Sequence, residues 1–297
     1  MLTLLSCSCF VLSTLAPAFG DSEATSTASS DPVAAFPGTA SDFHGYVSHD
    51  FVIDGCNAHL VEPKVPLASK AWIWRTMFWD AFPGVDLALL ARGYYVAFID
   101  VGDTFGSPDS LVHYEPFYST LTQTYGLSKK PAMEGLSRGG MFEYRWASMH
   151  PDQVGCIYGD APLCDIRYIT GDGRKQIMNA YHLATDQDFL NYNQNPIDIL
   201  APIAKRRIPI IHDCGDADDA APMSINTDVL RERYMKLGGN FALIVKQGCQ
   251  HHPHGLTDPT PIVDFIVVYT AGGDESKQAM KTAIKPGTIL TIPQGQW

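Results

Sequence analysis

Positive charge is scarce in this sequence. Lys and Arg number 21 against 32 Asp and Glu, a formal net charge of -11 at pH 7. An acidic surface repels nucleic-acid phosphates and anionic lipid headgroups, so composition argues against both as partners. Long apolar runs are also missing. Leu2 to Leu15 is apolar apart from Thr, Ser and Cys, too short to span a bilayer. There is no internal repeat, and no cysteine spacing fits a zinc site. No Lys or Arg precedes the apolar N-terminal run.

What is present reads differently. With 297 residues, 45% of them hydrophobic and 18% charged, the chain can bury one large core. Residues 1–20 read as a signal segment. The apolar run is followed by Ala16, Pro17, Ala18, Phe19 and Gly20, small residues suited to cleavage before Asp21. Secretion or export to a periplasm is the expectation, with no membrane attachment once the segment is removed. Of seven cysteines, Cys7 and Cys9 would leave with it. Cys56, Cys156, Cys164, Cys214 and Cys249 remain, an odd number. Residues 21–41, rich in Ser, Thr, Ala and Pro, read as a flexible leader.

From there the chain alternates. Tyr46 to Ile53 and Ala58 to Pro63 flank an Asp54-Gly55 turn signal and read as an antiparallel pair. Short apolar strands then alternate with helical patterns. The strands are Ala71–Arg75, Tyr94–Val101, Pro131–Leu136, Val154–Tyr158, Ile208–His212 and Phe241–Lys246. The helices include Leu111–Tyr125, Gly140–His150, Ser224–Leu237 and Pro261–Tyr269. This rhythm predicts an α/β fold: a mostly parallel central sheet with helices on both faces, over residues 42–273. Residues 166–205 interrupt it as a helical cap insertion, expected to act as a lid or wall. Residues 274–297 read as a loose tail.

One segment carries chemistry. Gly135, Ser137 and Gly139 form G-x-S-x-G between a predicted strand and a predicted helix. A tight strand-to-helix turn needs glycine where the chain passes close, and it lifts the serine above the sheet at the positive end of the helix. There the backbone N–H of Arg138 is placed to hold an oxyanion. A serine hydroxyl also needs a base, and the base an orienting acid. Asp213, Asp216, Asp218 and Asp219 follow one strand. His251, His252 and His254 follow the next. Both loops fall at the strand edge that carries Ser137.

On these motifs the chain resembles the α/β-hydrolase superfamily over roughly Tyr46 to Val268. More narrowly it is similar to secreted bacterial serine hydrolases of the prolyl-oligopeptidase-like and carbohydrate-esterase-like branches. The family's acid lies in G-x-x-D-x-x-x-P, which Gly215 to Pro222 matches with Asp218. Its base follows a G-x-G-H-like turn, which Gly248 to His251 matches except that Gln250 replaces the second glycine. The resemblance therefore implies Ser137, Asp218 and His251 as catalytic residues. His252 and His254 stay open as the base, and Asp160 as an alternative acid. Asp213, Asp216 and Asp219 are otherwise solvated loop residues or helix caps.

The second oxyanion donor is expected from the backbone near Arg75 or Thr76, after the Ala71–Arg75 strand. Trp72, Trp74, Phe78 and Trp79 nearby either wall a pocket or pack the core. Arg138 either meets a substrate carboxylate or pairs with Glu134 or Asp103. Cys214 and Cys249, just before the acid and the base, either form a disulfide or are buried thiols. No metal or organic cofactor is expected. The His-His-Pro-His run looks metal-like, but Pro253 breaks helical spacing and no Cys or carboxylate partner is evident in the sequence. The expected activity is hydrolysis of a carboxylic ester, with a small-molecule or polysaccharide ester as substrate. Esters on plant or algal polysaccharide are the class the resemblance suggests. A prolyl-oligopeptidase-like peptidase and a non-catalytic binder on the same scaffold are the alternatives.

Overall fold

A computed structural model of the chain describes residues 35–297. The expected signal segment, and the leader up to residue 34, lie outside the described residues.

Among the described residues ten strands form one sheet. In chain order they are β1 (Thr39–Phe43), β2 (Tyr46–Ile53), β3 (Cys56–Glu62), β4 (Trp72–Arg75), β5 (Tyr95–Ile99), β6 (Ala132–Leu136), β7 (Cys156–Asp160), β8 (Ile210–Gly215), β9 (Phe241–Lys246) and β10 (Ile289–Ile292). The spatial order is β1-β2-β3-β5-β4-β6-β7-β8-β9-β10. Pairing is antiparallel from β1 to β5 and parallel from β5 across to β10. The sheet is mostly parallel, as the alternating pattern predicts.

The local sequence explains these elements. The β2–β3 connection is two residues long, with Ile53 opposite Cys56. Asp54 and Gly55 both take positive φ, 49° and 79°, the turn that matches strand twist. The inner strands β4 to β8 are buried along their whole length. Their continuous apolar runs fit a sheet covered on both faces. One core layer centres on Trp72, Trp74, Tyr114, Phe117 and Trp146. The other packs Ile73, Val96, Tyr158 and Ile244 against Phe265 and Ile266 of the helix Thr260–Thr270.

Three sequence expectations need correction. The leader does not extend to Ser41, because β1 begins at Thr39 and pairs with β2 around His44-Gly45. Both turn residues have positive φ, repeating the β2–β3 turn. Thr39 to Asp42 are exposed and Phe43 alone is buried, so this edge strand is held mainly by backbone pairing and carries little apolar signal. The tail is not loose. It forms the helix Gly273–Ala279 and then β10, which pairs with β9 and turns Leu290 and Ile292 toward the core. Four alternating residues are too few to stand out as a strand. The helix expected over Leu111–Tyr125 is broken into Pro108–Leu111, Tyr114–Ser119 and a wider turn at Thr120–Thr124.

Residues 166–205 are helical, with α-helices at Gly171–Ala180, Asp186–Leu190 and Ala201–Lys205. A small core of Ile166, Ile177, Tyr181 and Phe189 packs on Phe105, Met141 and Leu163. Tyr181 donates to the carbonyl of Phe105 at 2.6 Å, and Tyr168 to that of Ala220 at 2.7 Å. Among the described residues no helix is long and apolar enough to cross a membrane.

Candidate active site

Ser137 sits on the sharp turn from β6 into the helix Gly139–Met149, at φ 51°. That left-handed conformation is strained for a residue with a Cβ. Close approach fixes the flanking glycines. A Cβ on Gly135 would lie 2.5 Å from the Glu143 carboxyl carbon, and one on Gly139 would lie 3.0 Å from Thr76 Oγ1. The N–H of Arg138 opens the helix, and no carbonyl among the described residues accepts it.

His251 lies in the loop after β9 and Asp218 in the loop after β8. His251 Nε2 is 2.9 Å from Ser137 Oγ, and His251 Nδ1 is 2.8 Å from Asp218 Oδ2. The other Asp218 oxygen accepts the N–H groups of Ala220 and Ala221, each at 2.9 Å. Burial pushes the Asp218 carboxyl up. The His251 hydrogen bond, the Ala221 and Ala220 N–H groups and the charge of His251 outweigh it and hold the carboxyl below its ordinary range. These distances suit a serine, a base and an orienting acid, in the chain order Ser, Asp, His.

The alternatives fall elsewhere. Asp160 does not reach His251. It is buried, and it accepts from His254 Nδ1 at 2.7 Å and from the N–H of Gly255 at 2.6 Å. His252 is exposed and stacks on Phe82. Asp213 is not a solvated loop residue. It lies buried on β8, with Lys246 Nζ at 2.9 Å. Burial and the nearby Asp160 charge raise its carboxyl to about 6 against the pull of Lys246. Asp216 is exposed and accepts the N–H of Gly248 at 2.6 Å, which ties the acid loop to the base loop. Asp219 is exposed.

No disulfide joins those loops. All five described cysteines are free thiols. Cys214 Sγ lies 3.2 Å from Thr227 Oγ1. Cys249 points toward the carbonyl of His252. The stitching is by backbone instead, with Ala217 N–H donating to Cys249 O at 3.0 Å.

A cavity of about 300 Å³ opens over Ser137, lined by Phe78, Ala81, Phe82, Leu136, Arg138 and the three histidines. Most of that lining is apolar. The expected oxyanion donors Arg75 and Thr76 do not line it. The Arg75 side chain is fully buried, 2.5 Å from Asp86 and 3.3 Å from Glu134. The N–H of Thr76 donates to Glu134 O. The chain has therefore not yet reached the pocket at these residues. It does so at Phe78, whose N–H no carbonyl among the described residues accepts.

Trp72 and Trp74 are core residues with no exposure. Trp79 stacks on His59. Of the four aromatics expected near the pocket, only Phe78 lines it. Arg138 pairs with Asp103 at 2.6 Å, its guanidinium over the rings of Phe78 and Phe105. No lining residue comes from the 166–205 insertion. That segment buttresses Phe105 and Met141 and does not roof the cavity. Sequence reasoning missed Phe82 and Lys246. Phe82 sits in an irregular loop with no periodic signal. Lys246, a lysine closing an otherwise apolar strand, was the available clue to a buried charge.

No protein-family model matches the chain. No curated protein matches it either. Solved structures do. A puromycin-hydrolyzing peptidase of Mycobacterium tuberculosis superposes with a TM-score of 0.57 over 82% of this chain, at 13% identity. A 2,6-dihydroxy-pseudo-oxynicotine hydrolase does so at 0.52 over 69%, at 19% identity, and an esterase of Pyrococcus furiosus at 0.51 over 72%, at 15% identity. The chain spans 41% of the peptidase, 61% of the oxynicotine hydrolase and 90% of the esterase. At these identities the likeness is one of fold. With the sheet order above, it gives the chain the α/β-hydrolase fold.

Proposed function

We propose that the chain is a serine hydrolase that cleaves carboxylic esters through an acyl-enzyme on Ser137. The observation that carries this reading is the unbroken line Asp218–His251–Ser137 beneath a largely apolar cavity. His251 takes the Ser137 proton as Oγ attacks the ester carbonyl. The oxyanion is held by the N–H of Arg138 and the N–H of Phe78, in place of Arg75 and Thr76. Collapse expels the alcohol, which receives its proton from His251. Water then attacks the acyl-enzyme, giving its proton to His251, and the acid leaves as Ser137 regains the proton.

Phe78, Phe82 and Leu136 suit an apolar acyl group of modest size. An amide substrate is the second reading, favoured by the structural likeness to a peptidase. The deciding experiment is hydrolysis of p-nitrophenyl acetate and butyrate by the wild type and by Ser137→Ala, both verified as folded. The expected loss in the variant is about 10⁴-fold or more. Equal rates in both proteins would remove Ser137 and the mechanism together. A peptide p-nitroanilide panel separates ester from amide preference. A positive ester result leads to polysaccharide esters as the next screen.

A further inference from the structure

We propose that His251, His252 and His254 form a site for a borderline-soft divalent cation such as Zn²⁺, and that its occupation switches hydrolysis off. One ring nitrogen from each of the three histidines lies within 4.8 Å of the others. The rings meet edge to face with centroids 4.9 to 5.0 Å apart. Zinc takes nitrogen at about 2 Å, so the three must close inward by about 1 Å. His252 is exposed and has room to swing.

Two of the three rings are already held as metal ligands are. A ligating histidine characteristically gives its second nitrogen to a carboxylate, which fixes the ring and raises its basicity. Nδ1 of His251 is bound to Asp218 and Nδ1 of His254 to Asp160. This leaves both Nε2 atoms for a cation. Nothing among the described residues hydrogen-bonds to Nε2 of His254. Nε2 of His251 meets only Ser137 Oγ, at 2.9 Å, which a cation on that lone pair would displace. An all-imidazole set suits Zn²⁺, Cu²⁺ or Ni²⁺ and not Mg²⁺ or Ca²⁺. The residues come together through a loop and not through helical spacing, so the break at Pro253 does not keep the three rings apart.

Inhibition follows from one lone pair. The cation and the Ser137 proton compete for Nε2 of His251, and a coordinated His251 accepts no proton. The inhibitory half rests on His251 being the base, as proposed above. The binding half does not.

The test is calorimetric titration of the full chain with ZnCl₂, set beside ester hydrolysis across the same concentrations. Wild type is compared with His252→Ala and His254→Gln, each checked by circular dichroism. One Zn²⁺ per chain is expected, bound at least about tenfold more weakly in each variant. Hydrolysis should fall with the same midpoint, return on adding EDTA, and ignore Mg²⁺. Zn²⁺ affinity unchanged in His252→Ala overturns the site even if His254→Gln does not fold, because it places the ion at some other surface. Binding at the three histidines with full hydrolysis at saturation overturns the switch.

Discussion

Two histidines three residues apart each give Nδ1 to an aspartate, at 2.8 Å for His251–Asp218 and 2.7 Å for His254–Asp160. The geometry is nearly the same and the surroundings are not. Asp218 is anchored by two backbone N–H groups on a surface loop, and its histidine faces Ser137. Asp160 ends an inner strand with both oxygens committed, near the buried Lys246, whose ammonium also holds the carbonyls of Pro253 and Gly255. Burial depresses that ammonium, but Asp213 and Asp160 outweigh it and keep it charged. A histidine–aspartate pair is therefore not a catalytic signature. What the other ring nitrogen meets decides between chemistry and scaffolding. On the proposed function, the buried pair braces the loop on which the reactive one stands.

The comparison can be broken from either side. Asp218→Asn should cost the most in rate. The histidine loses its orienting charge, and kcat should fall by about four orders of magnitude with the unfolding midpoint nearly unchanged. A loss under tenfold would mean that Asp218 does not orient the base. Asp160→Asn should show the reverse. Removing one member of a buried charge cluster costs about 3–5 kcal/mol, read as a large drop in the urea midpoint. Its rate per folded molecule should fall far less than that of Asp218→Asn. If the two variants lose rate equally and stability equally, the division of labour is wrong.

The smallest expected effect concerns Glu143, behind the Ser137 turn. Both its oxygens are buried without a hydrogen-bond partner. Burial, with Glu134 and Asp160 nearby, pushes its carboxyl well above the ordinary range. The folded chain keeps that proton while the unfolded chain releases it near 4.5. Wild-type stability is thus undiminished by Glu143 below that pH and declines as pH rises toward the folded value. Glu143→Gln removes the titration. The stability of the variant relative to wild type should grow with pH from 4.5 upward, by up to about 1.4 kcal/mol per unit. Urea melts of both proteins at pH 4 and pH 7 check this, and a constant difference would count against a protonated Glu143.

Much of this was legible in the residues. The inner strands announced themselves as unbroken apolar runs, and the elbow as two glycines around a serine. Asp218 and His251 lie where the resemblance put them. The structure orders the three histidines by what their second nitrogens meet, which no spacing encodes. The second oxyanion donor, proposed at Phe78 in place of Arg75 or Thr76, is hard to read because a backbone N–H leaves no mark on side-chain identity. β1 escaped notice because an edge strand held mainly by backbone pairing needs little apolar periodicity, and β10 because four alternating residues are too few to stand out as a strand. The Cys214–Cys249 pairing failed because neighbouring loops need not turn their Cβ vectors toward each other.

The covering of β9 by β10 bears on how long such a molecule lasts. β9 ends in the loop that holds His251, and its outer edge is closed by only four residues, Ile289–Ile292. The approach to that strand, 285–288, is exposed and open to nicking by proteases. A cut there would leave β10 held only by its pairing with β9 and the Trp297 contacts, and its loss would bare a row of unpaired backbone groups, the template for sticking to another chain. Wear at this seam, far in sequence from Ser137, would reach the histidine first.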